Sequence, residues 1–206
     1  MKIGVIGAGN IGGTLARLWV EHGHEIMLSA RDEGSPKIQA ALKAIGPAAR
    51  VGSVAEATAF GEAVLLAVPG AAAQEVIQQG GDWTGKIIID ATNRLGPTAP
   101  DSLPSVAEDA ARWAVGAKVI KAFNTTGVAN MAQPQFGSQQ ADMFICGDDE
   151  AAKAVVAGLA QAIGFEVVDC GPLANAALLE ALARLWIQLA YPLGNGPDIA
   201  FKLLRR

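Results

Sequence analysis

The residues Gly7-Ala8-Gly9-Asn10-Ile11-Gly12 near the start of the chain have a spacing that serves three purposes in succession. Gly7 permits a tight turn, Gly9 leaves main-chain N–H groups open to an approaching pyrophosphate, and Gly12 lets the next helix lie close to the preceding strand. Backbone amides and a helix dipole then meet phosphate charge, which is the chemistry of dinucleotide binding. About 20 residues further on, a site for an unphosphorylated ribose places a carboxylate that accepts from the 2′-hydroxyl. Here the sequence reads Ser29-Ala30-Arg31. A carboxylate would repel a 2′-phosphate, whereas the Ser29 hydroxyl donates to it and the Arg31 guanidinium pairs with it in two places while stacking on adenine. NADP(H) is therefore the expected coenzyme, with Lys37 as a candidate second cation. NAD would be read instead if Asp32 or Glu33 turned back toward the ribose.

Two later segments offer groups to the same ligand. Ala67-Val68-Pro69 ends the apolar run 63–68, near the switch point where a dinucleotide crosses a parallel sheet. Asn93 follows the run 86–90 and can hydrogen-bond a nicotinamide carboxamide or ribose, or simply turn its loop. Asn124 and Thr125 follow the run 118–123 and suit a loop over which a planar ring lies. Proton carriers are scarce. Oxidising an alcohol requires a base, most often His, Lys or Tyr, but His22 and His24 fall at the amino-terminal edge of the expected sheet, without further metal-ligand partners at short range. Tyr191 lies at the far end of the last helix, which leaves Lys121 as a candidate acid. Flavins and deazaflavins need no such relay, because they take hydride at a ring atom and manage protons on their own heteroatoms or with solvent. Orientation of two flat rings then supplies most of the rate. Three readings stay open: an NADP(H)-dependent reductase with a flavin or deazaflavin acceptor, a small carbonyl or imine reductase using Lys121, and a non-catalytic NADP(H)-sensing module.

The elements that must position these residues alternate between short apolar strands and amphipathic helices. The periodicities predict a strand before Gly7, a helix over 10–21 closed at Gly23, a strand over 24–29 and a helix over 36–45 closed by Gly46-Pro47. They continue with a short strand at Arg50-Val51 and a helix over 54–60, which Ser53 caps with Glu56 completing a capping box. A strand over 63–68, a helix over 71–79, a strand over 86–90, a proline-bearing loop over 96–104 and a helix over 105–113 come next. Strands over 118–123, 143–146 and 166–169 flank a helix over 150–163. A final helix over 173–190 carries Leu178, Leu179, Leu182, Leu185, Trp186 and Leu189 around a wide apolar face. The fold class is α/β: a Rossmann-type, doubly wound, mostly parallel sheet of about eight strands over residues 1–170, with a C-terminal helical extension over 171–206.

Composition narrows the partners. A formal charge of −4 and a pI near 5.2 provide no basic surface for nucleic acid or an anionic membrane. Gly, Pro and charged residues interrupt the apolar runs short of a membrane span, and the first residues form a strand where a secretory signal would be basic and then apolar. The expectation is a cytoplasmic protein acting on a small-molecule hydride acceptor, with a possible homodimer through the last helix. Cys146 and Cys170 lack C-x-x-C spacing and are expected to be buried, reduced thiols.

Taken as an ordered set, Gly7-Ala-Gly-Asn-Ile-Gly12, Ser29-Ala-Arg31, Ala67-Val-Pro69, Ile89-Asp-Ala-Thr-Asn93 and Lys121-Ala-Phe-Asn-Thr-Thr126 resemble the NADP oxidoreductases that reduce the deazaflavin coenzyme F(420). The set is also similar to the cytosolic oxidoreductase domain of six-transmembrane metalloreductases. The resemblance covers roughly residues 1–170. It implies NADP on Gly9, Asn10, Ile11, Ser29, Arg31, Val68, Pro69 and Asn93, and an acceptor ring near Asn124 and Thr125. At Asn124 the deazaflavin reductases tend to carry His, and the metalloreductase domain carries Asn, as this chain does.

Overall fold

The computed structural model describes residues 1–95 and 105–206; the loop expected over 96–104 lies outside them, as does the side chain of Lys37. Six short apolar strands run parallel: β1 (Lys2–Ile6), β2 (Glu25–Ser29), β3 (Ala49–Gly52), β4 (Ala63–Leu66), β5 (Ile87–Asp90) and β6 (Lys118–Lys121). Their spatial order is β3-β2-β1-β4-β5-β6, with the direction of winding reversing between β1 and β4. That is the doubly wound arrangement, whose ligand crevice opens at the carboxyl ends of the strands beside the switch point. Two further strands complete the sheet: β9 (Asp142–Gly147) pairs antiparallel with β6, and β10 (Glu166–Asp169) pairs parallel with β9. A separate hairpin, β7 (Gln135–Phe136) and β8 (Gln139–Gln140), precedes them. The antiparallel turn places the amino end of β9 at the rim where β6 ends.

Helices cover both faces, so successive residues of one strand serve two cores. Ile3, Val5, Ala63, Leu65, Ile89 and Ile120 face a cluster with Leu15 and Trp19 of α1 (Asn10–Glu21) and Val156 and Leu159 of α7 (Glu150–Ala162). Ile6, Val64, Leu66, Ile88 and Val119 face the other cluster, with Val76 and Ile77 of α4 (Ala73–Gln79) and Ala107 and Ala110 of α5 (Val106–Trp113). α2 (Pro36–Ile45) and α3 (Val54–Phe60) complete the first half. Ser53 and Glu56 form the expected capping box on α3, and Ser105 with Glu108 form another on α5.

Several expected boundaries move. β4 stops at Leu66 and β6 at Lys121, so Ala67-Val68-Pro69 and Ala122–Asn124 are rim loops and not strand ends. Phe123 adopts φ +59, a left-handed conformation that is costly for a side chain. Its buried ring meets Trp19 edge-on at 5.7 Å, and its N–H approaches Met143 Sδ at 3.1 Å, which holds the turn. α6 (Val128–Ala132) and the hairpin were not expected, because five- and two-residue elements carry too little periodicity to be seen.

The last helix, α8 (Ala176–Ala190), follows a 3₁₀ turn at Leu173–Asn175. By length and composition Leu173–Ala190 could cross a membrane, contrary to the expectation that apolar runs are too short. It is instead laid on the sheet, with Leu179, Ala183 and Trp186 buried, while Leu178 and Leu185 of the expected apolar face stay exposed. The tail then straps back over the body. Ile199 O accepts from Trp186 Nε1 (2.7 Å) and Asn130 Nδ2 (2.6 Å), and Asp142 accepts from Lys202 Nζ (2.8 Å) and Leu203 N (2.6 Å).

Candidate coenzyme site

The glycine turn has the geometry that its spacing predicts. Gly7 sits at φ +105, where a side chain would be strained, and a Cβ there would fall 2.4 Å from Ala67 O. A Cβ on Gly12 would fall 2.0 Å from Gly7 O, so α1 can approach the turn only because that position is bare. Gly9 differs: a Cβ there would meet nothing within 4 Å, and its backbone (φ −79, ψ −166) is ordinary. α1 begins at Asn10 with no side-chain cap and no acid in its first turn, whereas α3 and α5 each carry a capping box. Its leading N–H groups and positive dipole end are therefore left for an anion.

A cleft of about 560 Å³ opens beside this turn, walled by Gly7, Ala8 and Gly9 on one side, Ser29–Asp32 on another and Ala67–Pro69 on a third. Ser29 ends β2 and is buried. Arg31 Nη2 donates to Glu75 Oε1 on α4 at 3.2 Å, with the Arg31 side chain 84% exposed. So exposed a pair is weakly held, and the guanidinium is free to exchange Glu75 for a phosphate. Asp32, a residue through which NAD would be read, accepts from Gly34 N at 3.0 Å and so turns its own loop.

A second cleft, about 180 Å³, shares the Ala67–Pro69 wall and is lined further by Ile11, Ala91, Thr92 and Asn93. The two clefts lie on either side of the switch point, as the two halves of a dinucleotide do. Asn93 is tied to the loop after β6: its Nδ2 donates to Asn124 O (3.1 Å), and Asn124 Nδ2 donates to Asn93 Oδ1 (2.9 Å). This brings Asn93 and Asn124 together from segments 31 residues apart. Thr125 is buried just behind them, and the loop continues to Gly127, where a Cβ would fall 2.5 Å from the Trp186 ring of α8.

Lys121 is not where an acid would serve. Its side chain is 0% exposed, and Nζ donates to Asp90 Oδ2 (2.8 Å), Glu180 Oε1 (3.0 Å) and Thr92 O (2.5 Å). With its three donors occupied and no path to a substrate, it is a buried structural charge. The sequence carried a signal for this: Ile-Ile-Ile-Asp90 and Val-Ile-Lys121 set opposite charges at the ends of two apolar runs, and the two residues are register partners on neighbouring strands. Glu180 and Glu75 lacked any comparable signal, since their partners are 59 and 44 residues away.

His22 and His24 occupy the amino-terminal edge as expected: His22 Nδ1 lies 2.8 Å from Leu18 O, and His24 Nδ1 lies 3.4 Å from the chain's own amino group. Among the described residues no group of acidic, His or Cys side chains could hold a metal. Cys146 and Cys170 are free thiols. Burial pushes the Cys146 thiol up to about 12 and also raises that of Cys170.

With this geometry, comparison with known proteins defines a class. The family of coenzyme F(420)-dependent NADP oxidoreductases matches residues 2–94, a span that holds all of the larger cleft's lining and all but Leu95 of the smaller one's. The chain is 31% identical to the F(420)-dependent NADP reductase of Methanothermobacter marburgensis over 208 aligned positions, covering 92% of each. It is 32% identical to metalloreductase STEAP3 of Rattus norvegicus over 185 positions, covering 88% of this chain but spanning only 36% of that protein's length. A crystal structure from Arthrobacter sp. FB24, described as a candidate F(420)-dependent NADP-reductase, superposes over the whole of both chains with a TM-score of 0.89 at 30% identity. The chain belongs to this family of NADP-dependent oxidoreductases.

Proposed function

We propose that the protein transfers hydride between NADPH, held with its adenosine half in the larger cleft and its nicotinamide in the smaller one, and a flavin or deazaflavin ring near Asn124 and Thr125. Ser29 and Arg31 read the 2′-phosphate in this reading, and the amides of Gly9, Asn10 and Ile11 take the pyrophosphate. The observation that carries the choice of acceptor is the state of Lys121. Lys121, the candidate acid, is sealed between two carboxylates and a carbonyl, while the paired amides of Asn93 and Asn124 offer hydrogen bonds without a transferable proton. A ring that handles its own protons suits such a site, and a ketone, whose alkoxide must be protonated, does not. The likeness to named F(420)-dependent NADP reductases over 92% of both chains supports a deazaflavin.

The test is NADPH oxidation followed at 340 nm with oxidised coenzyme F(420), FMN, and a panel of small ketones and cyclic imines. Turnover with a flavin or deazaflavin and none with the carbonyl panel is expected. Turnover confined to ketones or imines would overturn the choice of acceptor, and tight NADPH binding without turnover on any of them would make the chain a coenzyme-sensing module. We place the protein in the cytoplasm, where thiols stay reduced, with no nucleic-acid or membrane partner. A second copy is the proposed occupant of the exposed Leu178 and Leu185, spaced seven residues apart on α8, together with Tyr191 and Leu193 beyond its end. Sedimentation at micromolar concentration should show a dimer, and a monomer would remove that part of the proposal.

A further inference from the structure

The rim after β5 is held by a buried charge cluster that hydride transfer does not use. Asp90 Oδ1 accepts from Thr92 N (3.0 Å), and Lys121 Nζ donates to Thr92 O (2.5 Å). Glu180 reaches in from α8, its Oε2 accepting from Arg94 N (3.1 Å) and its Oε1 from Val106 N (2.9 Å) as well as from Lys121 Nζ. The main chain of Thr92 is thus pinned at both its N–H and its C=O. Three buried polar atoms beside this rigid frame have no hydrogen-bond partner among the described residues: Thr92 Oγ1, Asn124 Oδ1 and Arg94 Nε. Thr92 precedes Asn93 and lines the smaller cleft, and Asn124 is hydrogen-bonded to Asn93. Buried polar atoms are nearly always paired, and unpaired ones on the two loops joined at Asn93 and Asn124 call for a ligand.

The chemistry of Thr92 Oγ1 and Asn124 Oδ1 identifies that ligand. A threonine hydroxyl donates, and an amide oxygen only accepts. A primary carboxamide is their complement, since its carbonyl accepts and its NH₂ donates. We propose that Thr92 Oγ1 and Asn124 Oδ1 together bind the carboxamide of the nicotinamide, with Asp90 and Lys121 as positioning residues that fix the Thr92 main chain and Glu180 holding Lys121 in place. Thr92 Oγ1 is enclosed in the coenzyme-free structure, so binding requires the side chain to turn toward the cleft that Thr92 lines. The inference rests on the coenzyme reading above, and it adds the contact that fixes the orientation of the nicotinamide ring.

Thr92→Val removes the hydroxyl while keeping the shape. Titration calorimetry with NADPH and with 2′,5′-ADP, which lacks the nicotinamide, separates the two ends of the site. The NADPH Kd of T92V should rise about tenfold and that of 2′,5′-ADP should stay within twofold, with Thr92→Ser restoring NADPH affinity. The coenzyme-free melting temperature of T92V should match or exceed that of the wild type, because an unpaired buried hydroxyl is gone, whereas a purely structural hydroxyl would show the reverse. The 3-acetylpyridine analogue of NADP⁺, with CH₃ in place of NH₂, should bind the wild type more weakly than NADP⁺ does. An analogue bound as tightly as NADP⁺ overturns the role of Asn124. Unchanged NADPH affinity in T92V, or equal loss for 2′,5′-ADP, overturns the role of Thr92. Failure of the wild type to bind 2′,5′-ADP overturns the coenzyme reading itself, and this inference with it.

Discussion

Gly9→Ala separates binding from folding more cleanly than any other change at the glycine turn. A methyl there touches no protein atom within 4 Å, and φ −79 with ψ −166 suits alanine, so the coenzyme-free protein should keep its stability to within about 0.5 kcal/mol. In the proposed coenzyme complex the same methyl occupies the open space through which the pyrophosphate approaches the α1 amides. Displacing the ligand from even one main-chain N–H forfeits a hydrogen bond to a charged group, about 1.5–3 kcal/mol, which weakens NADPH roughly 10- to 150-fold. Gly12→Ala is the contrasting case. Its Cβ would lie 2.0 Å from Gly7 O, so α1 must retreat from the turn, at about 1–3 kcal/mol of folding stability as well as lost affinity. Thermal melts without coenzyme, paired with NADPH titrations, distinguish the two. Wild-type NADPH affinity in G9A, or a loss of stability in G9A as large as in G12A, would refute the assignment of the open face of Gly9 to phosphate.

Lys121→Met should cost roughly 3–5 kcal/mol in denaturant unfolding, because Asp90 and Glu180 would be left as unpaired buried carboxylates; a loss under about 1 kcal/mol would mean that the cluster does not depend on its cation. Glu56 is held below its ordinary value of 4.5 by the Ser53 backbone N–H and hydroxyl. Its folded pKa lies under its unfolded one, so the stabilisation is fully present above 4.5 and is lost as pH falls through the folded value. The stability gap between wild type and Glu56→Gln should therefore close on going from pH 7 to acid, and a constant gap would contradict the capping-box account. With its thiol pushed up to about 12 by burial, Cys146 should resist iodoacetamide at pH 7.5 until the chain is unfolded. Rapid labelling of the native protein, located by peptide mass, would show that the thiol is not enclosed.

The first half of the molecule was legible because its signals are local. The glycine turn, α2 over Pro36–Ile45 and the Ser53–Glu56 cap each sit within a dozen residues, and the structure forms them where the pattern put them. Ser29, Arg31 and Ala67–Pro69 also converge on one cleft as read from strand order. What the sequence concealed depends on distant partners. Glu180 closes on Lys121 from α8, 59 residues away, and that contact, unlike the Asp90 pairing that the two strands signal, could not be read from the sequence. Asn93 and Asn124 gave no sign that each would bind the other, and the rim turn at Phe123 is held by contacts with Trp19 and Met143 that no periodicity encodes.

The central claim, that the carboxyl rim of this sheet holds a 2′-phosphorylated dinucleotide, is tested most directly by titrating wild type and Arg31→Glu with NADPH and with NADH. One charge-assisted pair with the 2′-phosphate is worth about 1.5–3 kcal/mol, so the wild type should bind NADPH at least about tenfold more tightly than NADH. In R31E that preference should vanish or invert while NADH affinity changes little. Equal affinity of the wild type for the two coenzymes, or equal loss of both in the variant, would contradict the account.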